Sequence, residues 1–232
     1  MNYIITGAGK GIGFETVKQL SKMQGSRIVA ISRNVMKLHE LAKANNPLVS
    51  EIIPLSFDIV NGSIENNLIP LLKELDFKID GLFNNAGALI NKPLAECSVE
   101  DYAKVFGTNV EAPFRLIREL LPFMNEGAHI VNAGSMGGVQ GSAKFPGLAL
   151  YSASKGALAI LSECLAEELK DKKINVNCIA FGAVQTEMLA AAFPGYKAPL
   201  SAYDMAAFVA DFLFQGHKYF NGKVLPVSVS TP

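Results

Sequence analysis

Tryptophan is absent from this sequence of 232 residues, and cysteine and histidine occur only three times each. The cysteines are Cys97, Cys164 and Cys178, and the histidines are His39, His129 and His217. No two cysteines form a Cys-x-x-Cys pair, and no group of cysteine, histidine or acidic residues has the spacing of metal ligands. We therefore expect three reduced thiols that fill the core, and we expect no metal.

Neither sign of charge is in excess, because 21 lysine and arginine residues balance 21 aspartate and glutamate residues. A neutral chain lacks the basic field that attracts nucleic acids or anionic membranes, so neither partner is expected. No apolar run approaches the ~18–20 residues of a membrane span, and the first residues lack the pattern of a secretory signal. The composition predicts a cytoplasmic protein that binds a small molecule or another subunit.

Half of the residues are hydrophobic, which is enough for one core in a single α/β domain. Short apolar runs alternate with segments of helical period, the pattern of βαβ units, so we predict a doubly wound parallel sheet of about seven strands with helices on both faces. The predicted strands are Asn2–Thr6, Arg27–Ile31, Glu51–Ser56, Gly81–Asn84, His129–Ala133, Asn175–Ala180 and Lys223–Val227. The first predicted helix carries Ile12, Val17, Leu20 and Met23, and the others are Val35–Asn45, Ile64–Leu75, Val99–Leu121, Ala149–Lys170 and Ala202–Phe214.

The first predicted strand leads into a glycine turn, which we define as residues 6–13, Thr-Gly-Ala-Gly-Lys-Gly-Ile-Gly. Ile12 stands where the fingerprint G-x-G-x-x-G requires its last glycine, and no Ser or Thr follows Lys10 as a P-loop requires. The spacing that fits is Thr-Gly-x-x-x-Gly-x-Gly. Glycines permit positive φ and the start of the next helix favours an anion, so the turn is a candidate cradle for a nucleotide phosphate. A tight turn without a ligand is the alternative.

A second candidate site is Tyr151-Ser152-Ala153-Ser154-Lys155, which places a phenol and an ammonium four residues apart. On a helix, the two groups share one face. A phenol with a pKa of ~10 is a poor acid and base near neutrality, and an adjacent cation lowers that value. The pair is therefore a candidate acid–base device, although Tyr-x-x-x-Lys alone also arises by accident.

Four motifs, in this order, resemble the short-chain dehydrogenase/reductase family and together span nearly the whole chain. They are the glycine turn, Asn84-Asn85-Ala86-Gly87 after the fourth strand, Asn109 in a mid-chain helix, and Gly134-Ser135 followed by Tyr151 and Lys155. The resemblance implies a Rossmann-type fold. It also implies an enzyme that interconverts a carbonyl group and an alcohol by hydride transfer with a nicotinamide cofactor.

The resemblance also implies roles for four catalytic residues. Tyr151 would be the general acid and base, and Ser135 would orient the carbonyl oxygen. Lys155 would lower the pKa of Tyr151 and hold the nicotinamide ribose. Asn109 would anchor a water in the proton relay, although an ordinary helix position is the alternative for this residue.

The residues after the second strand, Ser32-Arg33-Asn34, include no carboxylate that would bind a free ribose 2′-hydroxyl. Arg33 suits a phosphate, and Lys10 adds a second cation, so NADP(H) is expected in preference to NAD(H). An Arg33 that is merely solvated is the alternative. The full set of expected cofactor contacts is Gly7, Gly9, Lys10, Gly11, Ile12, Gly13, Ser32, Arg33, Asn34, Asp58, Ile59, Asn85, Ala86, Gly87, Tyr151, Lys155, Gly182, Val184 and Thr186.

The sequence departs from the family pattern in three places. Phe181 replaces the usual proline and adds a large ring that we expect beside the nicotinamide. Ser135 and Tyr151 are 16 residues apart, about three more than is usual, which enlarges the segment at the substrate entrance. Residues 227–232 lack the family's frequent Gly-Gly, and the loop after Thr186 is short, so we expect an open pocket.

The expected substrate pocket is mostly apolar, and core packing is the alternative for each of its residues. Its candidates are Met136, Phe145, Leu148, Met188, Leu189 and Phe193. Ketones, aldehydes, 3-oxoacyl thioesters, steroids and pteridines all remain open as substrates within the family.

The resemblance leaves several readings of the whole chain open. Residues 1–134 would bind the cofactor and 135–232 would carry the catalytic and substrate part, and a homodimer or homotetramer is expected. One alternative is a 3-oxoacyl-carrier-protein reductase, whose carrier would dock on Lys170, Lys172 and Lys173. Another is a non-catalytic NADP(H)-binding sensor of the same fold.

Overall fold

Parallel strands form the centre of the computed structural model, which describes residues 1–229. The strands are β1 (Asn2–Thr6), β2 (Ser26–Ser32), β3 (Ser50–Ser56), β4 (Ile79–Asn84), β5 (Met124–Ser135), β6 (Asn175–Phe181), β7 (Val184–Gln185), β8 (Leu200–Ser201) and β9 (Val224–Val227). Seven of them form one sheet in the order β3-β2-β1-β4-β5-β6-β9, and β7 pairs with β8 separately. Every pair in the large sheet is parallel, as predicted.

The helices alternate with these strands along the chain. They are α1 (Gly11–Leu20), α2 (Met36–Ala44), α3 (Ile64–Glu74), α4 (Val99–Phe106), α5 (Ala112–Leu120), α6 (Ala149–Glu168), α7 (Glu187–Ala192) and α8 (Ala202–Gln215). No helix within residues 1–229 combines the length and the apolar character that crossing a bilayer requires.

Both faces of the sheet are buried under helices. Successive side chains of each strand point to opposite faces, so each strand contributes to two core clusters. On β1, Ile4 belongs to the core cluster that includes residues of α3 and α5, whereas Tyr3 and Ile5 belong to the cluster that includes residues of α1 and α8. Burial on both faces explains why the strands read as continuous apolar runs.

The predicted helix Val99–Leu121 is wrong as one regular helix. A π-helical turn, Gly107–Glu111, separates α4 from α5. Such turns often mark functional sites, because the inserted residue changes which side chains face a neighbour. This turn contains Asn109.

Other sequence predictions need smaller corrections. Strand β5 is longer than predicted, and the three short elements β7, α7 and β8 were not predicted. The expectation that all cysteines fill the core is wrong, because Cys178 is buried whereas Cys164 is exposed and Cys97 is half-buried.

The strand order reverses between β1 and β4, which are neighbours in the sheet although β2 and β3 separate them in sequence. At such a switch point the loops at the carboxyl ends of the two strands diverge and leave a crevice, where open α/β sheets bind their ligands. The glycine turn follows β1, and Asn85 to Gly87 follow β4, so both motifs reach this crevice.

Candidate active site

Thr6 ties the glycine turn to the loop after β4. Its Oγ1 accepts hydrogen bonds from the backbone N–H groups of Asn85, at 3.0 Å, and Ala86, at 3.1 Å. The Asn85 amide donates in return to the carbonyls of Thr6 and Gly7, at 3.1 and 3.2 Å. The Asn85 side chain therefore braces the glycine turn against the loop after β4.

The glycine turn has the shape of a cradle. Gly7 and Gly11 have φ of +65° and +56°, a region that other residues rarely adopt. A methyl group added to Gly7 would lie 2.8 Å from Cα of Ala86, so no larger residue fits there. Helix α1 begins at Gly11, and its N-cap residue Lys10 makes no side-chain capping bond. The free N–H groups of its first turn suit a phosphate, so these residues fit a dinucleotide.

Two unpaired cations lie at this end of the sheet. Lys10 and Arg33 are both exposed, and neither forms an ion pair with any residue in 1–229. Gly9 packs against the Ser32 side chain, and a methyl group on it would lie 3.0 Å from the carbonyl oxygen of Asn34. The loop after β2 therefore lies beside the glycine turn, and the cofactor contacts of Ser32, Arg33 and Asn34 stay predictions.

Asp58 and Ile59 follow β3, and both are less available to a ligand than expected. The Asp58 carboxylate accepts from the N–H of Val60 at 2.9 Å, and this bond is the main cause that lowers the pKa of Asp58, with the Arg33 charge as a weaker cause. The Ile59 side chain is buried in the core. The Ile59 backbone is therefore the candidate contact of that residue, and the half-buried Asp58 stays a predicted cofactor contact.

The predicted acid–base residues meet at the carboxyl ends of β5 and the start of α6. Ser135 ends β5, and its hydroxyl accepts from the N–H of Gly137 at 3.2 Å and lies near enough to the Tyr151 phenol to influence its pKa. The Lys155 Nζ lies 5.8 Å from the centre of the Tyr151 ring. Burial raises the pKa of Tyr151, and the interaction with Ser135 opposes this shift. The net shift of the Tyr151 pKa is thus upward, whereas we expected Lys155 to lower it.

Lys155 is buried, and its Nζ donates to the carbonyl of Ala133 at 2.6 Å. Burial lowers the pKa of Lys155 to about 8, because desolvation disfavours the charged amine. Burial also raises the pKa of the neighbouring Cys178 thiol to about 11. Cys178 opposes the shift of the Lys155 pKa only in part, so with a pKa of about 8 Lys155 is a cation below about pH 8 and loses its charge above it.

Asn109 is fully buried in the π-helical turn, and its carboxamide is completely paired. Its Oδ1 accepts from the N–H of Ala88 at 2.8 Å, and its Nδ2 donates to the carbonyl of Ala88 and to Oγ of Ser154, each at 2.9 Å. The side chain of Asn109 therefore joins the loop after β4 to α6.

Gly87 lies where these elements converge. A methyl group on it would come 3.4 Å from Oδ1 of Asn109, 3.7 Å from Nζ of Lys155 and 3.8 Å from Cε of Met188. Helix α7 thus brings the predicted pocket residue Met188 near the amine. Thr186 caps α7 by accepting from the N–H of Leu189 at 3.2 Å, and a methyl group on Gly11 would lie 3.4 Å from its Cγ2.

A cavity of about 570 Å³ lies between segments 93–94 and 144–149, with Ser152 in its wall. The predicted pocket residues Phe145 and Leu148 line it, and Met136 is buried. The Asn91 side chain, which lies against Gly147 of this cavity, donates to the carbonyl of Ala192 at 2.9 Å. The enlarged segment between Ser135 and Tyr151 therefore forms one wall of the cavity, while Leu189 and Phe193 lie on and just after α7.

The end of β6 and the segment after it are packed into the core and against β9. Val184 is buried, and the Phe181 ring packs in the core cluster that includes residues of α1 and α8. The N–H of Gly182 donates to the carbonyl of Val227 at 2.9 Å, so this segment is tied to β9. Residues 230–232, the last three of the segment 227–232, lie outside the described part of the chain.

Sequence reasoning missed the residues that hold the site together. Ser154 accepts from Asn109, and Thr6 accepts the two N–H groups after β4. The available signal was their position inside recognised motifs, Ser154 next to Lys155 and Thr6 at the head of the glycine turn. The sequence alone does not show which group such a hydroxyl bonds to.

The three predicted docking lysines lie far from Tyr151. A crossover helix runs antiparallel to the strands, so Lys170, Lys172 and Lys173 follow α6 at the opposite edge of the sheet, roughly 25–30 Å away. Lys170 and Lys173 are already paired with Glu167 and Glu126. This location disfavours them as the dock for a carrier that delivers a substrate to Tyr151.

The family model described as short chain dehydrogenase matches residues 2–197. Ketoacyl reductase HetN of Nostoc sp. is 33% identical over 188 residues, which cover 80% of this chain and 64% of that relative. A probable tetrahydroxynaphthalene reductase of Zymoseptoria tritici is 30% identical over 186 residues, which cover 80% of this chain and 68% of that relative.

Two solved structures agree in fold. L-sorbose reductase from Gluconobacter frateurii, complexed with NADPH and L-sorbose, is 25% identical with a TM-score of 0.85 and covers 99% of this chain and 95% of its own. The 3-ketoacyl-(acyl-carrier-protein) reductase from Brucella melitensis, complexed with NADH, is 25% identical with a TM-score of 0.84, covering 97% and 96%. With a family match over most of its length and the fold to go with it, this chain belongs to the short-chain dehydrogenase family and is an oxidoreductase.

Proposed function

We propose that this chain is an NADP(H)-dependent oxidoreductase that interconverts a carbonyl group and an alcohol, with Tyr151 as the general acid and base. The observation that carries the proposal is the convergence of Ser135, Tyr151 and Lys155, with the Lys155 amine 5.8 Å from the centre of the phenol ring and Ser135 among the groups that influence the Tyr151 pKa. These residues lie at the same edge of the sheet as the glycine turn. A nucleotide and an acid–base group at one edge are what hydride transfer to a carbonyl requires.

In the proposed reaction, Ser135, Tyr151 and Lys155 have separate roles. When bound, NADP(H) supplies the hydride to the carbonyl carbon in reduction and accepts it from the carbinol in oxidation. Ser135 donates a hydrogen bond to the substrate oxygen and orients it, and Tyr151 donates the proton that this oxygen takes up. The raised pKa of Tyr151 keeps the phenol protonated at neutral pH. The Lys155 cation stabilises the phenolate that remains, so reduction is expected to weaken as pH rises past about 8.

The preference for NADP(H) is argued from charge. Lys10 and Arg33 are exposed and unpaired within residues 1–229, and Ser32-Arg33-Asn34 carries no carboxylate against a 2′-phosphate. The similar sorbose reductase is described with NADPH and the similar ketoacyl-carrier reductase with NADH. The fold is therefore compatible with either cofactor, and we base the proposed preference for NADP(H) on Lys10 and Arg33.

The substrate is proposed to be a carbonyl compound with an apolar part. The cavity beside Ser152 is lined mainly by apolar residues, and its one cation, Lys144, already donates to the carbonyl of Val139 at 2.7 Å. We assign residues 1–134 mainly to the cofactor and the remainder mainly to catalysis and substrate. Met136, Met188, Leu189 and Phe193 stay proposed contacts beside Phe145 and Leu148.

A 3-oxoacyl-carrier-protein reductase is the second candidate. The names of two similar proteins favour it. The place of Lys170, Lys172 and Lys173 at the far end of α6 counts against the carrier dock that we expected there. A free 3-oxoacyl thioester in the substrate panel separates this candidate from a general carbonyl reductase.

The test is the oxidation of NADPH and NADH, measured side by side by absorbance, with ketones, aldehydes and 3-oxoacyl thioesters. Tyr151→Phe is expected to abolish turnover, whereas Tyr196→Phe, which changes an exposed tyrosine, keeps it. Tight NADPH binding without turnover of any carbonyl would favour the sensor instead. Full activity of Tyr151→Phe would refute the proposed acid.

A further inference from the structure

Ser154 stands between the two residues of the acid–base device and makes contact with neither reacting group. It is fully buried in α6. Its hydroxyl accepts from Nδ2 of Asn109 at 2.9 Å and donates to the backbone carbonyl of Tyr151 at 2.7 Å. One hydroxyl therefore connects the Asn109 carboxamide to the backbone of the proposed acid.

Three separate segments meet through this hydroxyl. Asn109 belongs to the π-helical turn and holds both the N–H and the carbonyl of Ala88. A carboxamide has two N–H donors, and Asn109 gives one to Ala88 and the other to Ser154. Removal of the Ser154 hydroxyl would leave a buried N–H group without a partner, which is costly and favours a shift of the surrounding backbone.

We propose that Ser154 is a positioning residue for the reaction. It fixes the helical turn that carries Tyr151 and Lys155 against the π-helical turn and the loop at Gly87 and Ala88. It acts through Asn109 and the Tyr151 backbone rather than on the substrate. The inference rests on the proposed function, since it concerns the placement of that function's acid.

The chain contains a matched control on the same helix. Ser162 is also fully buried, accepts from Nδ2 of Asn132 at 2.9 Å, and donates to the carbonyl of Leu158 at 2.7 Å. It lies eight residues further along α6, which is roughly 12 Å of helix. Ser154 and Ser162 thus share residue type, burial, an asparagine donor and a carbonyl acceptor in the preceding turn. They differ in their distance from Tyr151, and Ser162 also neighbours the Cys178 thiol.

The kinetic test compares Ser154→Ala with Ser162→Ala. Both variants are expected to unfold at lower temperature, because each leaves an asparagine N–H unpaired. In Ser154→Ala, kcat is expected to fall roughly tenfold or more, because small misplacements of reacting groups are expensive, while the KM for NADPH changes less than about twofold. Ser162→Ala should keep its kcat within about twofold. Ser154→Cys, of similar size with a weaker donor, should lie between serine and alanine.

A second measurement does not depend on turnover. Hydrogen–deuterium exchange followed by mass spectrometry should show faster exchange near Ala88 and in residues 107–111 for Ser154→Ala, but not for Ser162→Ala. Equal kcat values in the two alanine variants, or unchanged exchange near Ala88, would overturn the inference. If the unaltered protein reduces no carbonyl, the proposed function fails, and the exchange data still decide whether Ser154 holds this junction.

Discussion

At the scale of single residues, the exposed cations Lys10 and Arg33 lie at the proposed nucleotide site. Arg33 is exposed and without an ion pair within the described chain. Arg33→Ala is expected to weaken NADPH binding roughly tenfold to a hundredfold, the range for a lost hydrogen bond to a charged group, and to leave NADH binding nearly unchanged. Titration of both nucleotides by fluorescence or calorimetry measures this. Arg118→Ala, which removes an exposed arginine of α5, is the control, and equal losses for both nucleotides would contradict the assignment.

His129 connects single-residue chemistry to stability. Its Nδ1 contacts the carbonyl of Leu213 at 3.3 Å and its Nε2 contacts Nδ2 of Asn177 at 2.9 Å, a pattern that fits the neutral ring. Burial lowers the pKa of His129 from 6.5 to about 4. The unfolded chain takes up this proton near pH 6.5 and the folded chain only near pH 4. The stability that depends on the neutral ring is therefore present above about pH 6.5 and lost as the pH falls towards 4.

The expected loss between these limits is roughly 3 kcal/mol, from the size of the pKa difference. Urea unfolding at a series of pH values measures it. His129→Gln should have a smaller fall in stability between pH 6.5 and 4 than the unaltered protein, and His39→Gln, at an exposed position, should have the same fall. A His129→Gln profile parallel to that of the unaltered protein would show that this residue has no such role.

Prediction from sequence works for residues whose type alone carries the chemistry. Tyr151 and Lys155 could be proposed because their spacing places a phenol and an amine on one helix face and because the surrounding motifs resemble those of the family. The upward shift of the Tyr151 pKa and the value of about 8 for Lys155 could not, because both arise from burial under neighbours that the sequence does not specify. The buried side chain of Ile59 and the role of Ser154 depend in the same way on tertiary contacts.

At the scale of elements, the helix that carries Asn109 shows where periodicity is insufficient. The spacing of apolar residues predicts a continuous helix from Val99 to Leu121, and the structure interrupts it with a π-helical turn. An apolar pattern cannot specify one wider turn, because the neighbours on either side keep helical spacing. The contacts of Asn109 with Ala88 and Ser154 supply a reason for the interruption, since they fix where the carboxamide must point.

Helix α7 brings a negative charge to the nucleotide site. Glu187 lines a cavity of about 450 Å³ together with Lys10 and Glu15, and a methyl group on Gly11 would lie 3.6 Å from its Oε2. Because a carboxylate there repels a phosphate, Glu187→Gln is expected to tighten NADPH binding roughly two- to tenfold at low salt, and less at high salt.

The control for this prediction is Glu15→Gln. Glu15 lines the same cavity, but its charge is paired with Lys18 at 2.8 Å. Its substitution is expected to change the NADPH dissociation constant little. Weaker binding by Glu187→Gln would mean that the carboxylate supports the site instead of opposing the phosphate.

At the scale of the whole molecule, sequence order and strand order together explain how distant motifs meet. The alternation of strands and helices was enough to predict a parallel sheet of seven strands with both faces covered, and the structure confirms it. It was not enough to predict that Thr6 would hold the N–H groups of Asn85 and Ala86, about eighty residues away, because that contact requires β4 to lie beside β1.

The homodimer or homotetramer stays a prediction, and the surface of α4, α5 and α6 is where we expect the subunits to meet. Val99, Tyr102, Phe114 and Ile160 are all exposed there, Ile160 by 61%. We expect Ile160→Glu to shift the protein towards monomer in light scattering after size exclusion, because a buried carboxylate without a partner destabilises an interface. Leu48→Glu, at a residue that is 82% exposed near the other edge of the sheet, should leave the mass unchanged. A concentration-independent monomer in the unaltered protein would refute this prediction.

Transfer of deuterium tests the central claim most directly. With a carbonyl substrate and NADPH that carries deuterium at both nicotinamide C4 positions, mass spectrometry of the alcohol locates the label. The account predicts that the unaltered protein places deuterium on the carbinol carbon, and that Tyr151→Phe forms no labelled alcohol although it still binds NADPH. Alcohol that forms without label, or labelled alcohol formed as fast by Tyr151→Phe, would contradict it.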